Sequence, residues 1–299
     1  MSSKSQLVFE STVAKSLVHK RAIAEVLITD SLQCDQRAFV LGSQWPREHH
    51  FYRPNQAPGN LTLLAEAMRQ AAFVVCHEYL GVPLESSFLM DRLMVSMSEP
   101  APCEGTGPTN VTIQLSVDSA AYAAGNLRAL DIDARFEADG IDFGSGRGEL
   151  RVVPRKVYDK IRGSRSLAAP SDRKPSACGK LIEAIDSEAV WKLEVPFRHS
   201  VFFDHPLDHV PGMLFLEAIR QAVHEVHGPG SELSSFDCSF AKFAEFEPEI
   251  EIHREVPDHY DVSGAVREWF SVRQSGSVLA TAVVEVPVSS IHRILELAF

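Results

Sequence analysis

The sequence predicts an α+β chain in which one motif, a central helix wrapped by an antiparallel β-sheet, occurs twice. Three observations predict it. "LLAEAMRQAA" at 63–72 returns as "LFLEAIRQAV" at 214–223, with six of ten positions identical at an offset of 151 in a chain of 299 residues. Strand-like segments surround each copy in the same order. Between the copies, "RGSRSLAAPSDRKPSACGK" at 162–180 is rich in Gly, Ser, Pro and basic residues and lacks periodicity, as a linker would. A repeated segment with shared element order and a connector between is the signature of a duplicated unit. The expected division is an N-terminal domain over 1–161, the linker 162–180 and a C-terminal domain over 181–299.

Taken in order, "AIAEVLITD" and "RAFVLGS" read as strands before the first helix. "SFLMDRLMVSM", "NVTIQLSV", "LRALDIDARFEA" and "FGSGRGELRVV" read as strands after it. In "NVTIQLSV", Val111, Ile113, Leu115 and Val117 alternate with polar residues, so one face is buried and the partners are antiparallel. The second half follows the same order: "WKLEVPFRHSVFF", then the helix, then "SSFDCSFAKFAEF", "EIEIHREV", "HYDVSGAVREWFSVRQ" and "VLATAVVEVP".

Composition excludes several function classes. Forty acidic against 29 basic side chains give a formal charge of −11, which disfavours a nucleic-acid partner because backbone phosphates are held by clustered Lys and Arg. The five cysteines, Cys34, Cys76, Cys103, Cys178 and Cys238, are odd in number and form no CxxC, against a disulfide framework or zinc knuckle and in keeping with a reducing compartment. "MSSKSQLVFESTVAKSLVHKRA" has no uninterrupted apolar core of signal-peptide length, and no run approaches a membrane span. A cytoplasmic protein without a membrane partner is expected.

At 100° per residue, Thr62, Glu66, Arg69, Gln70 and His77 share one stripe of the first helix, opposite Leu64, Met68, Ala71, Val75 and Tyr79. Glu217, Arg220, Gln221, His224 and His227 do the same in the second. One reading is a solvated face with an i,i+3 Glu/Arg pair contributing about 0.2–0.5 kcal/mol. The other is the floor of a cleft, favoured because the same Glu, Arg and Gln occur twice and no Lys joins them.

Both helices are approached through unusual loops. "FFDHPLDHVPGM" crowds Asp204, His205, Asp208 and His209 before Pro211 and Gly212; "QWPREHHFYRPNQAPGN" carries His49 and His50 before Pro58-Gly59 and Asn60, a plausible N-cap. A metal site at His205 and His209 lacks the helical frame and third ligand such sites need, so no metal is expected. Ordinary polar loops and catalytic loops both remain open readings.

A His-containing loop, then PGxLxxEA opening a hydrophobic helix among antiparallel strands, resembles the hotdog fold of acyl-thioester enzymes, 3-hydroxyacyl dehydratases among them. "DHPLDHVPGMLFLEAIRQA", with "QWPREHHFY" and "LLAEAMRQAAFVVCHEYLGVP", is similar to the A-factor biosynthesis (AfsA-type) hotdog family, which makes γ-butyrolactone signals. The resemblance covers nearly the whole chain. It implies a tandem double hotdog and an acyltransferase that moves a 3-oxoacyl group from acyl carrier protein, or a similar thioester, to the hydroxyl of dihydroxyacetone phosphate, with no cofactor. The chain lacks the GHFPG loop of dehydratases and adds Arg220 and Gln221 after Glu217, which makes dehydration the less favoured chemistry. The same fold would also suit a thioesterase or a non-catalytic acyl-binding protein.

Acyl transfer to a hydroxyl needs a base for the alcohol, donors for the oxyanion and a cation for the phosphate. Glu66 or Glu217 is the expected base, its pKa raised toward neutrality by an apolar wall. His205 and His209 are further catalytic candidates. Free N–H groups around Leu61-Thr62 and Gly212-Met213 would polarise the thioester carbonyl. Arg69 or Arg220 would fork onto the phosphate. Gln70, Gln221, His49, His50 and Asp208 complete the expected substrate-binding set. No GxSxG or Ser-His-Asp motif is present, and Cys76 reads as a core filler. Because hotdog units pair helix to loop, the resemblance would bring Glu66 to the 205–209 loop and Arg220, and Glu217 to His49, His50 and Arg69, with the first site favoured.

Overall fold

Alternating apolar residues build six strands in the first unit, Met1–Ser164: β1 (Ile28–Gln33), β2 (Ala38–Trp45), β3 (Ser87–Met97), β4 (Thr109–Ala123), β5 (Asn126–Ala138) and β6 (Ile141–Val153). A computed structural model describes residues 6–52, 61–98, 107–163, 165, 179–186, 189–228, 230–255 and 265–288. Every pairing in the unit is antiparallel, in the order β1-β2-β4-β5-β6-β3. Helix α1 (Leu61–Val74) lies against this sheet and continues through a π-helical turn, Val75–Tyr79. A short helix, α2 (Arg155–Arg162), follows β6.

The glycines of "FGSGRGELRVV" explain how a helix so rich in large side chains reaches the sheet. Gly144, Gly146 and Gly148 alternate along β6, so all three face the same side. A Cβ at Gly144 would overlap Leu64, one at Gly146 would overlap Met68, and one at Gly148 would come within 3.4 Å of Met68 Cε. Absence of side chains on this strand makes room for the helix.

The second unit, Arg165–Phe299, repeats the plan with β7 (Ile182–Asp186), β8 (Val190–Leu193), α3 (Gly212–His227), β9 (Ser235–Phe240), β10 (Ile250–Glu255), β11 (Ala265–Gln274) and β12 (Ser277–Pro287). Its order, β7-β8-β10-β11-β12-β9, is the first unit's order strand for strand. Where β6 presents glycines, β12 presents buried Ala280, Ala282 and Val284. The fold is therefore a tandem double hotdog, α+β, as the repeat predicts.

Two local expectations are corrected, and two further elements go unmarked by the sequence. "AIAEVLITD" opens with a 3₁₀ turn, Ile23–Glu25, and becomes a strand only at Ile28. "WKLEVPFRHSVFF" is a strand only to Leu193, beyond which Pro196 and a run of turns take over. Helix α2 and strand β7 lie in stretches without a strong apolar period. Most of the linker, together with Pro58, Gly59 and the proposed cap Asn60, lies outside the described residues.

Candidate active site

The polar stripe of α1 is not solvated. Glu66 is 3 % exposed, Gln70 and Thr62 are fully buried, and the i,i+3 pair is an internal ion pair. Glu66 Oε2 accepts from Arg69 Nε at 2.9 Å and Oε1 from Arg69 Nη2 at 2.7 Å, a fork geometry that suits guanidinium. Oε1 also accepts from Gln70 Nε2 at 2.7 Å, and Lys20 Nζ approaches it at 3.2 Å with both side chains almost wholly buried. Phe73, one turn along, places its ring 4.7 Å from the Arg69 guanidinium carbon.

This arrangement overturns the expectation that an apolar wall raises Glu66 toward neutrality. Burial does push the carboxyl up. The charges of Arg69 and Lys20, with hydrogen bonds from Arg69 and Gln70, outweigh it and hold the group well below the usual carboxylate range. A carboxylate so stabilised is a poor proton acceptor at neutral pH.

Gln70 is spent on the framework. Its Nε2 donates to Glu66 and, at 2.8 Å, to the Glu25 carbonyl, while its Oε1 accepts from Leu27 N at 2.8 Å. Gln221 repeats the clamp: Nε2 donates to the Gly179 carbonyl at 2.7 Å and to Glu217 at 3.0 Å, and Oε1 accepts from Leu181 N at 2.8 Å. Each amide thus pins the chain entering its own sheet. Both N–H groups of each amide already have acceptors.

On α3, Glu217 is 2 % exposed and holds Arg220 by the same fork, Nε to Oε2 at 2.9 Å and Nη2 to Oε1 at 2.8 Å. No lysine joins this carboxylate among the described residues. Instead Arg220 Nη1 lies 3.1 Å from His224 Nε2, and Glu232 Oε1 stands 3.8 Å from the same nitrogen. Burial, the largest single influence, lowers the Arg220 pKa, but the hydrogen bonds to Glu217 and the charges of Glu217 and Glu232 together outweigh it and raise it. Burial first, then the Arg220 charge, lowers that of His224.

In the approach to α1, His49 Nδ1 accepts from the N–H groups of Phe51 and Tyr52 at 3.1 and 3.2 Å, its Nε2 faces Glu25 at 3.4 Å, and its ring stacks on His50 at 4.5 Å. The second unit has the same turn at His199, whose Nδ1 accepts from Val201 and Phe202 at 3.2 and 3.4 Å. His199, rather than His205 or His209, is the geometric counterpart of His49. The matching signal in the sequence is spacing, 17 residues from His49 to Glu66 and 18 from His199 to Glu217. His209 Nδ1 lies 2.7 Å from Asp208, and His205 Nδ1 lies 3.7 Å from Asp204.

Helix α3 starts at Gly212-Met213 after Pro211, without a side-chain cap. The close face of Phe240, 2.8 Å from where a Cβ would stand, keeps residue 212 a glycine. At the start of α1, Thr62 Oγ1 is buried without a hydrogen-bond partner among the described residues. Burial pushes the Cys76 thiol up to about 12, so it is inert as a nucleophile and fills the core. Among the described residues no three His, Cys, Asp or Glu side chains gather as a metal set, and no helix is long and apolar enough to cross a membrane. Lys20, the two Gln clamps and His199 are the features that sequence reasoning missed.

The A-factor biosynthesis hotdog domain family matches residues 1–154 and 180–290. A 2-oxo-3-(phosphooxy)propyl 3-oxoalkanoate synthase of Streptomyces virginiae is 28 % identical over 249 residues, 79 % of this chain and 85 % of that protein. A synthase of the same name from Streptomyces coelicolor is 28 % identical, covering 79 % of each chain. Among solved structures, an acyl-ACP thioesterase from Bacteroides thetaiotaomicron superposes with a TM-score of 0.53 at 15 % identity, covering 83 % of this chain and 97 % of that one. A 12:0-ACP thioesterase from Umbellularia californica gives 0.52 at 14 % identity, covering 83 % and 96 %. The thioesterases share the fold alone.

Proposed function

Because the chain belongs to the A-factor biosynthesis hotdog family, we propose that it is an acyltransferase joining a 3-oxoacyl group from a thioester to the hydroxyl of dihydroxyacetone phosphate, in the formation of a γ-butyrolactone-type signal. The ester so formed is the 2-oxo-3-(phosphooxy)propyl 3-oxoalkanoate for which the Streptomyces relatives are named. Acyl carrier protein is the proposed carrier of the donor.

The observation that carries this reading is the forked, largely buried arginine on each central helix, Arg69 and Arg220. A desolvated guanidinium is costly unless it meets anions, and the neighbouring carboxylate occupies only its Nε and Nη2 side. Phosphate would take the Nη1 side of Arg220 in place of His224, and Glu217 holds the fork in place for it. Hydrolysis or dehydration of an acyl thioester brings no phosphorylated acceptor to Arg220. Backbone N–H groups at Leu61-Thr62 and Gly212-Met213, with the Thr62 hydroxyl, are proposed to polarise the thioester carbonyl. His49, His50, His205, Asp208 and His209 are proposed to line the approach.

The test is mass spectrometry of the products from a 3-oxoacyl thioester with and without dihydroxyacetone phosphate. A phosphorylated ester that forms only with the acceptor is expected. Free acid appearing at the same rate without it would identify a thioesterase, and water loss from a 3-hydroxyacyl thioester a dehydratase.

A further inference from the structure

Helical position 73 in the first unit and 224 in the second are equivalent, offset by 151 like the Glu, Arg and Gln around them. In the first unit the residue is Phe73, which offers Arg69 a ring face. In the second it is His224, which offers Arg220 a nitrogen at 3.1 Å. Guanidinium has no lone pair, so His224 Nε2 must be the acceptor in this contact and carries no proton. The remaining proton of the neutral ring then sits on Nδ1. The imidazole is thus fixed in one tautomer, neutral, with its basic lone pair directed at the Nη1 side of the arginine proposed to meet phosphate.

We infer that His224 is the general base of the acyl transfer. The inference rests on the acyltransferase reading above. As the acceptor phosphate takes up the Nη1 N–H groups of Arg220, which Glu217 keeps in place, the Nε2 lone pair of His224 is released beside the bound acceptor. The hydroxyl O–H bond breaks and its proton passes to Nε2. The oxygen forms a C–O bond with the thioester carbonyl carbon, the C–S bond breaks, and the leaving thiolate takes the proton back from Nε2 as a thiol. Ester and thiol are formed with no other reactant. Burial and the Arg220 charge keep His224 unprotonated and able to accept, with Glu217 opposing them. The charged groups facing it are Arg220 and Glu217 from α3 and Glu232 from the following loop.

The experiment compares wild-type full-length chain with His224→Gln and His224→Phe in transfer from a 3-oxoacyl thioester to dihydroxyacetone phosphate, across pH. Gln keeps an acceptor for Arg220 but cannot carry a proton; Phe restores the residue of the first unit. His224→Gln is expected to bind the acceptor with near wild-type KM, to lose about 10²-fold or more in kcat, and to lose the acidic limb of the kcat profile. His224→Phe is expected to lose kcat equally and to raise KM as well. Wild-type kcat and an unchanged acidic limb in His224→Gln overturn the base. A wild-type chain that forms no phosphorylated ester overturns the reading of function instead, and the base with it.

Discussion

The central helices of the two units carry the same Glu, Arg and Gln in the same geometry, yet their surroundings give the two carboxylates different work. On α1, Glu66 is shared by Arg69 and Lys20, and the position after the arginine is closed by Phe73. On α3, Glu217 serves one arginine, His224 stands where the first unit has Phe73, and Glu232 lies 3.8 Å from His224. A duplicated constellation has diverged through its neighbours rather than through its core. The lesson is that a catalytic assignment read from the repeated residues alone falls equally on both copies, whereas the flanking cation and the flanking histidine separate them.

The comparison is broken most directly at the carboxylates. Glu66→Gln leaves two buried cations without their anion and should cost about 3–5 kcal/mol of stability, read by chemical denaturation, whereas Glu217→Gln strands one arginine and should cost less. Equal losses would erase the distinction. Acid should erode the same contribution. The folded-state pKa of Glu66 is depressed, so its contribution is present above the unfolded-chain value near ~4.3 and is lost progressively as pH falls below it. The gap in stability between wild type and Glu66→Gln should therefore narrow between neutral pH and about pH 3.

At the arginines, Arg220→Ala should reduce kcat/KM for dihydroxyacetone phosphate by roughly 2–4 kcal/mol, and Arg220→Lys should recover only part of that, since a point charge cannot reproduce the fork. Unphosphorylated dihydroxyacetone should bring the wild type down to nearly the same level. If Arg69→Ala loses as much as Arg220→Ala, both units hold phosphate and the functional division fails.

Smaller effects should sharpen the picture at the clamps. Gln70→Leu orphans the Glu25 carbonyl and Leu27 N–H in a fully buried setting and should cost about 1–3 kcal/mol. Gln221→Leu should cost less, because Gln221 is only half-buried and water can serve Gly179 and Leu181. Paired thermal-unfolding measurements decide the order.

Much of this was legible in sequence. Strand-like composition located β3, β5 and β6 to within two residues, alternation found β4 but stopped six residues short of its end at Ala123, and the ten-residue repeat located both helices, because periodicity reports which residues share a face. It does not report what covers that face. The stripe of α1 is wet or buried depending on the chain before β1, and Lys20, whose charge joins that of Arg69 in depressing the Glu66 pKa, stands 46 positions away with no motif to mark it. His199 is hidden differently: it stands outside the dense histidine cluster at 205 and 209, and only the turn its Nδ1 closes, the same as at His49, marks it. Helix α2 escaped notice because "RKVYDKIR" has too few apolar residues to show a period.

The glycine ladder of β6 also bears on the history of the gene. Leu64 and Met68 reach into space vacated at Gly144, Gly146 and Gly148, while the second unit sets Phe215 and Ile219 at the equivalent helical positions and Ala280, Ala282 and Val284 on the matching strand. Each helix is fitted to its own sheet. Recombination between the two halves would produce a chimera with a helix of one bulk pressed on a floor cut for another, at a cost of about 1–3 kcal/mol for each overpacked contact. Packing alone therefore penalises mispaired exchange between the two repeats.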